Sequence, residues 1–310
     1  MCPRWSRSVR SEPTFRVMTP RYRLACLAVA VAAGLVAFGS ALGVLPRPAG
    51  GFGLSPATLA ALDLRRAEAA APGALPAELA GALDTDTRKA LFRDTLDPAI
   101  RAVNARVRLE RALVTLAADA RAEGRRPPRG LEARVAAIAA RYGVPADDPV
   151  RLLVRVDTVP PALITAQAAL ESGWGRSRLA HEAHALFGER AWRLADGVMP
   201  LARKRGAAHV ARAFPDITAS VAAYVHNLNT HRAYAAFRRH RAEARLDGTL
   251  PDPLQLAGGL SAYSELGPRY VAKLRAMIRG VSRDDEMAQS EAPPPSGSGR
   301  DATISDQASS

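Results

Sequence analysis

Hydrophobic residues recur every three or four positions through most of the chain, which is the pattern of amphipathic α-helices. The pattern becomes helical from about Asp84. Ile100, Val103 and Val107 then share one face of a second helix, which we expect Pro98 to open because proline is tolerated in the first helical turn. These spacings predict a body built mainly from helices.

One stretch of different character interrupts the helices. Gly143 is the expected C-cap of one of these helices. Farther along, the Gly, Arg and Pro content and the short apolar pieces of residues 188–214 predict a small hairpin or an irregular lobe. Asp216 is expected to cap the next helix, and Tyr270 begins the apolar face of the last strong one. We therefore predict a mainly α (α+β) fold with a small β-containing lobe.

The helix that begins at Pro160 and Pro161 is largely apolar, and its first carboxylate, Glu171, arrives only in the last turn. Gly173 is expected to end this helix, and Trp174 stands beside the carboxylate. An apolar setting raises the pKa of a carboxyl group, as a general acid near neutral pH requires. The alternative is a solvated carboxylate at a helix end, where the helix dipole disfavours negative charge.

The formal charge of +13 is spread unevenly over the 310 residues. Residues 1–23 hold six Arg against one Glu, and residues 283–310 hold two Arg against six acidic residues, so most of the positive charge lies between them. A strongly basic body indicates an anionic partner, such as nucleic acid, a membrane surface or an acidic cell-wall polymer. No nucleic-acid-reading motif is present, so we predict no nucleic-acid partner.

Residues 24–46 are uncharged and mostly Ala, Val and Leu, which is long enough for a membrane-spanning helix. Arginines precede this run, so the positive-inside rule places the N-terminus in the cytoplasm and the body outside. A cleaved signal peptide is the rival interpretation, because small residues follow the run's centre, and Met18 could be the true start. Both interpretations predict that the body is exported.

The two cysteines, Cys2 and Cys26, lie before or within this apolar segment, so the body holds no disulfide, thiol nucleophile or thiolate metal site. His181 and His184 are spaced three residues apart, which is not the zinc-protease pattern. We therefore predict no metal site and no cofactor.

Four blocks of sequence carry a resemblance to a known family. They are residues 166–175 (AQAALESGWG), 186–188 (LFG), 224–231 (YVHNLNTH) and 263–265 (YSE), and the helices from about residue 88 to 142 match as well. In this order the blocks resemble the glucosaminidase domain of glycoside hydrolase family 73, and more closely its Bax-type branch from Gram-negative bacteria.

The resemblance implies a lysozyme-like fold, in which a helical lobe and a small β lobe flank a glycan cleft. It also implies hydrolysis of the β-1,4 bond after N-acetylglucosamine in peptidoglycan, with Glu171 as the catalytic acid and Tyr263 as a tyrosine that contacts the N-acetyl sugar. Some family members carry a second glutamate in the β lobe. The acids of this lobe are Glu189 and Asp196 here, and the sequence assigns neither of them. His184 and Arg176 depart from the residues common in the family.

With this resemblance the chain divides into six predicted segments. They are a basic cytoplasmic N-terminus (1–23), a signal-anchor or signal peptide (24–46), a flexible tether (47–82), a helical N-terminal region (83–145), the glucosaminidase domain (146–282) and a disordered tail (283–310). The predicted partners are peptidoglycan strands and, through residues 24–46, the inner membrane. The predicted location of the domain is the periplasm.

Further candidates for sugar binding are Trp174, Phe187, Asn227 and Asn229. The two aromatic residues either line the cleft or pack the lobes together, and the two asparagines either grip sugar hydroxyls or cap backbone groups. Without a clear second carboxylate, the substrate's own acetamide group could assist the reaction, and Tyr263 could orient it.

Two other functions remain open from the sequence. A lytic transglycosylase also uses a Glu-Ser pair at a helix end, although its downstream block is missing here. A non-catalytic scaffold that binds peptidoglycan is the other alternative, because no second carboxylate is assigned.

Overall fold

The computed structural model of the chain describes residues 55–200 and 209–291. Within these residues lie ten α-helices: α1 (Pro56–Ala70), α2 (Thr85–Ala122), α3 (Arg129–Tyr142), α4 (Pro149–Arg155), α5 (Pro161–Ser172), α6 (Arg178–Glu182), α7 (Ile217–Thr230), α8 (Ala235–Leu246), α9 (Pro253–Leu256) and α10 (Pro268–Glu291). Three strands and four 3₁₀ segments complete the described part: β1 (Arg190–Ala191), β2 (Gly197–Val198) and β3 (Val210–Arg212), with 3₁₀ turns at Ala77–Ala80, Leu194–Asp196, Arg232–Tyr234 and Ala257–Tyr263.

Helix α2 is one continuous helix of 38 residues, and it begins after Asp84, whose side chain accepts hydrogen bonds from two first-turn amides. The prediction that Pro98 opens a separate helix is wrong, since Pro98 lies inside α2. An internal proline costs about 3 kcal/mol. The helix continues because its apolar face, with Phe92, Leu96 and Ile100, is fully buried on both sides of the proline.

Helix α1 lies within residues 47–82, where the sequence predicted a flexible tether. The hydroxyl of Ser55 accepts a hydrogen bond from the backbone of Thr58, and a proline follows at the first helical position. The helix packs along α2, to which Arg106 and Glu68 add an ion pair. The tether prediction fails for this part because Ala and Leu, without a strong apolar period, still form a helix when a cap and a neighbouring helix are present.

Helix α5 forms the centre of the core and packs against α2 and α10. Its buried side chains include Leu163, Ile164 and Ala168. Asn104 of α2 fixes Val159, which leads into this helix. The amide nitrogen of Asn104 donates to the Val159 carbonyl, and its amide oxygen accepts from the Val159 amide. The helix that carries Glu171 is therefore held rigidly at its start.

A buried ionic cluster holds the same segment from the other side. Asp157 is 2% exposed, and the guanidinium of Arg245 lies 3.0 Å from one of its carboxylate oxygens. Arg241 has no exposed surface and donates to the backbone carbonyls of Asp157 and Thr158. Burial alone would raise the pKa of Asp157, but Arg241, Arg245 and Arg111 outweigh it and lower the pKa.

The three strands form a small antiparallel sheet in the order β1-β3-β2. Arg190 pairs with Ala211 on one side of β3, and Val198 pairs with the same residue on the other side. The described residues of 188–214, where the sequence predicted a hairpin or an irregular lobe, thus form a small three-stranded β lobe.

No helix in the described part of the chain is long and apolar enough to cross a membrane. The segments predicted at 1–23 and 24–46 lie outside the described residues. At the other end α10 continues to Glu291, into the region where the sequence predicted a disordered tail from residue 283. The boundary predicted between residues 145 and 146 remains a prediction.

Candidate active site

The turn that ends α5 presents Glu171 at the surface. Gly173, Trp174 and Gly175 adopt successive left-handed conformations with φ of 62°, 58° and 76°. The hydroxyl of Ser172 donates to the Ala168 carbonyl and accepts from the amide of Gly175 at 2.9 Å. The predicted C-cap at Gly173 is confirmed, and this turn leaves Glu171 in the last turn of the helix.

Glu171 has two close neighbours from distant parts of the chain. The hydroxyl of Tyr270 in α10 donates to its Oε1 at 2.9 Å. A Cβ atom built on Gly188 would lie 3.6 Å from its Oε2, so the backbone of the β lobe passes beside the carboxylate. The side chain is still open to solvent. Crowding by protein atoms raises the pKa of Glu171, and the hydrogen bond from Tyr270 acts in the opposite direction.

A chain of hydrogen bonds ends on this carboxylate. Tyr224 donates to the amide oxygen of Gln167, and the amide nitrogen of Gln167 donates to the Tyr270 hydroxyl at 2.8 Å. Because Gln167 donates to the Tyr270 oxygen, the Tyr270 proton is directed to Glu171. Burial raises the pKa values of Tyr224 and Tyr270 above their usual range, so both remain neutral donors.

Aromatic rings pack around this chain. The ring of Phe187 stacks on Tyr224 with centroids 4.1 Å apart, and Tyr263 stacks on Tyr270 with centroids 5.5 Å apart. The hydroxyl of Tyr263 donates to the Phe187 carbonyl at 2.6 Å. Tyr234 lies 6.2 Å from Tyr263, centroid to centroid. The cluster joins α7 and α10 to the segment that enters the β lobe.

The β lobe places a second carboxylate beside the cluster. The side chain of Glu189 is 13% exposed, and its Oε2 lies 3.4 Å from the guanidinium of Arg212. Its other oxygen, Oε1, is buried and makes no hydrogen bond to any described residue. Burial raises the pKa of Glu189 to about 7, although Arg212 opposes the shift. The charge of Glu189 helps to raise the pKa of Tyr234 after burial, so the two groups are close.

The structure separates the two acids between which the sequence could not choose. Asp196 is exposed at the end of a 3₁₀ turn. Glu189 follows Gly188, which adopts a left-handed φ of 67° next to Glu171. Of these two acids, Glu189 is the one whose preceding residue lies beside Glu171.

The predicted sugar-binding residues are not all at the surface. Asn229 has no exposed surface and its amide nitrogen donates to the Asp157 carbonyl. Of the two roles open to it, the structure therefore gives it the one of bonding to a backbone group and not the one of gripping sugar hydroxyls. The side chain of Phe187 is 2% exposed and is enclosed by the tyrosines, which gives it the core position. Asn227 is half-buried and bonds to Tyr234.

Trp174 and Tyr263 are half-buried, and their predicted contacts with sugar remain predictions. The Tyr263 hydroxyl already donates to a backbone carbonyl, so a contact with sugar would have to be made by its ring. His181 bonds through Nε2 to the Gly175 carbonyl, 2.7 Å away, and so supports the turn after Glu171. The described residues hold no group of three or more His, Cys, Asp and Glu side chains that could bind a metal.

Sequence reasoning missed Gln167, Tyr270 and the position of Glu189. Gln167 lies one helical turn before Glu171, and a polar residue at i−4 on an otherwise apolar helix is a signal that could have identified it. The contact between Tyr270 and Glu171 spans 99 residues and has no local signal.

Comparison with known proteins identifies the family of the chain. Residues 150–283 match the family model described as Glucosaminidase, mannosyl-glycoprotein endo-beta-N-acetylglucosaminidase. The chain is 34% identical over 202 residues to Protein bax of Escherichia coli (strain K12), covering 63% of this chain and 70% of that protein. No solved structure matches the chain.

The extent of this match, together with the helical lobe and the small β lobe, confirms the predicted mainly α, lysozyme-like glucosaminidase fold. The chain therefore belongs to the glucosaminidase family of glycoside hydrolase family 73, in the Bax-type branch.

Proposed function

We propose that this protein is a peptidoglycan hydrolase, an endo-β-N-acetylglucosaminidase that cleaves the β-1,4 bond after N-acetylglucosamine with Glu171 as general acid. The observation that carries the proposal is the position of Glu171: open to solvent at the end of a buried helix, beside Gly188 and bonded to Tyr270. The family of the chain supplies the reaction class.

In this mechanism the protonated carboxyl group of Glu171 gives its proton to the glycosidic oxygen as the bond from that oxygen to the anomeric carbon breaks. The hydrogen bond from Tyr270 then stabilises the carboxylate that remains. Because Gln167 holds Tyr270 in its donor orientation, the acid is positioned before the substrate arrives.

Glu189 is our candidate for the second carboxylate. It is buried beside the tyrosine cluster, one of its oxygens has no partner among the described residues, and the preceding residue abuts Glu171. As a general base it would accept a proton from the attacking water. The competing route is assistance by the substrate's acetamide group, which needs no second carboxylate.

The stereochemistry of the product separates these routes. A base-activated water inverts the anomeric centre, whereas an acetamide-assisted reaction retains it. Solvolysis in labelled methanol, followed by NMR of the methyl glycoside, reads the outcome directly. An α-glycoside supports Glu189 as base, and a β-glycoside excludes that role in favour of a retaining route.

Digestion in ¹⁸O-labelled water tests the proposed reaction class. A hydrolase places one labelled oxygen at each new N-acetylglucosamine reducing end. A lytic transglycosylase instead forms 1,6-anhydromuramyl ends that take no oxygen from water. Unlabelled anhydro products would overturn the proposal, and binding to the polymer with no cleavage at all would favour the scaffold alternative. For location we keep the proposal of a periplasmic domain, exported through residues 24–46.

A further inference from the structure

A depression lies beside the turn that follows Glu171. It has a volume of about 490 Å³ and is formed by the start of α2 and the turn that follows α5. The lining residues are Thr85, Arg88, Lys89, Gly173, Trp174 and Arg176. We call it the Trp174 pocket. None of the tyrosines described above lines it.

Two positive charges in the Trp174 pocket are available to a ligand. Arg176 is exposed, and no hydrogen bond or ion pair joins its guanidinium to another described residue. Lys89 lies 3.8 Å from Asp86, but that carboxylate is 94% exposed, so solvent screens the pair. Arg88 differs, because its guanidinium donates to three backbone carbonyls and is committed to the fold.

The indole of Trp174 forms the apolar wall of the pocket. It meets Phe92 edge to face with ring centroids 5.8 Å apart, and the ammonium of Lys89 lies 6.0 Å from its centroid. The left-handed φ of 58° is unusual for so bulky a residue, and such strain persists where the surroundings impose it, often at ligand sites. Here the amide of Trp174 bonds to the Ala169 carbonyl at 2.9 Å.

An apolar ring beside two cations suits a sugar that carries a carboxylate. In peptidoglycan every second sugar is a muramyl residue, whose lactyl group ends in a carboxylate or in a stem peptide with carboxylates of its own. We propose that the Trp174 pocket binds the carboxylate of a muramyl residue next to the bond at Glu171. The enzyme would thereby prefer peptidoglycan to neutral N-acetylglucosamine polymers. This inference rests on the proposed function.

The pocket also gives the N-terminal helical region a part in binding. Lys89 lies outside residues 150–283, which match the family domain, whereas Trp174 and Arg176 lie inside them. Helix α2 therefore supplies half of this site. Its role is to contribute to substrate selection as well as to the core.

The test compares three glycans: a neutral N-acetylglucosamine oligomer, peptidoglycan strands freed of stem peptides, and intact strands. The variants are Lys89→Gln and Arg176→Gln, and Arg134→Gln, an exposed residue of α3, is the control for loss of one charge. We expect either pocket variant to lower kcat/KM on carboxylate-bearing strands by about tenfold relative to the neutral oligomer, as for one lost charge-assisted hydrogen bond. The control keeps the wild-type ratio.

Each outcome decides a point. If the pocket variants lose kcat/KM only on strands freed of stem peptides, the bound group is the lactyl carboxylate. If they lose it only on intact strands, the bound group is a carboxylate of the stem peptide. The inference is overturned if the variants keep the wild-type ratio of kcat/KM on carboxylate-bearing strands to kcat/KM on the neutral oligomer, which includes an equal loss on both. Calorimetry of the three glycans with Glu171→Gln, with and without Arg176→Gln, measures the corresponding ratio of affinities without turnover. If wild type cleaves no glycan while this binding ratio shifts, the proposed function is wrong and the carboxylate site stands.

Discussion

The hydroxyl of Tyr270 lies 2.9 Å from Oε1 of Glu171, and the packing of α10 against α5 brings the two residues together. The same hydroxyl accepts a hydrogen bond from Gln167, which Tyr224 orients in turn. Three helices thus determine the position of one carboxyl group. The proposed acid depends on this arrangement, which can be perturbed one group at a time.

Tyr270→Phe removes the hydrogen bond that lowers the pKa of Glu171. The pKa of Glu171 should rise, so the acid keeps its proton to higher pH and the alkaline limb of kcat/KM moves upward. The rate at the optimum should fall by roughly tenfold, because the remaining carboxylate loses a donor. Steady-state assays across pH measure both effects.

Tyr142→Phe is the matched control for this change. Tyr142 donates to Glu110 at 2.8 Å and forms another buried tyrosine–glutamate pair, away from Glu171. It should lose similar stability and keep the wild-type pH profile. A shift of the alkaline limb to lower pH in Tyr270→Phe would contradict the role given to this hydrogen bond.

Gly188→Ala tests the space beside the acid. The φ of 67° makes any other residue cost about 1–2 kcal/mol, and the added methyl group would lie 3.6 Å from Glu171 Oε2. We expect a folded protein with a clearly reduced kcat. Gly248→Ala carries the same backbone strain, at φ of 68°, with nothing within 4 Å of the new methyl group. Equal activity in the two variants would show that the space beside Glu171 is not used.

Glu189→Gln tests the second carboxylate. Because its pKa is raised to about 7, the charged form needed by a base appears as pH rises through that value, while the acid must stay protonated. Wild-type kcat/KM should therefore show a limb near pH 7 that reports the ionisation of Glu189. The variant should lose that limb and roughly a hundredfold in rate.

Asp196→Asn, in the same β lobe, is the control and should change neither quantity. If Glu189→Gln keeps the wild-type rate and profile, the acetamide-assisted route is favoured and Glu189 has a structural role only.

The local parts of this site could be predicted from the sequence. Prolines at the start of α5 and Gly173 at its end define the helix, and their order places Glu171 in the last turn. The partners of Glu171 could not be predicted, because Tyr270 and Gly188 reach it through tertiary packing that leaves no local spacing. Helix α1 was missed for a similar reason, since its stability comes from packing on α2.

Asp157→Asn tests the support beneath α5. Removing the charge leaves Arg241 buried without its counter-ion, so unfolding should become easier by about 3 kcal/mol. The pKa of Asp157 is lowered in the folded protein, so its stabilisation is present above the usual value of 3.8 and is lost as pH falls below it. Denaturant unfolding at neutral and acid pH should show a difference that shrinks on acidification. Asp119→Asn, an exposed position in α2, should differ little from wild type at either pH.

The most direct test of the central claim is digestion of purified sacculi by the protein and by Glu171→Gln, with reduction and mass spectrometry of the released fragments. Glu182→Gln, an exposed glutamate of α6, serves as the control. We predict new N-acetylglucosaminitol ends from wild type and Glu182→Gln and none from Glu171→Gln. Equal release of these ends by Glu171→Gln would contradict the assignment of Glu171 as the acid.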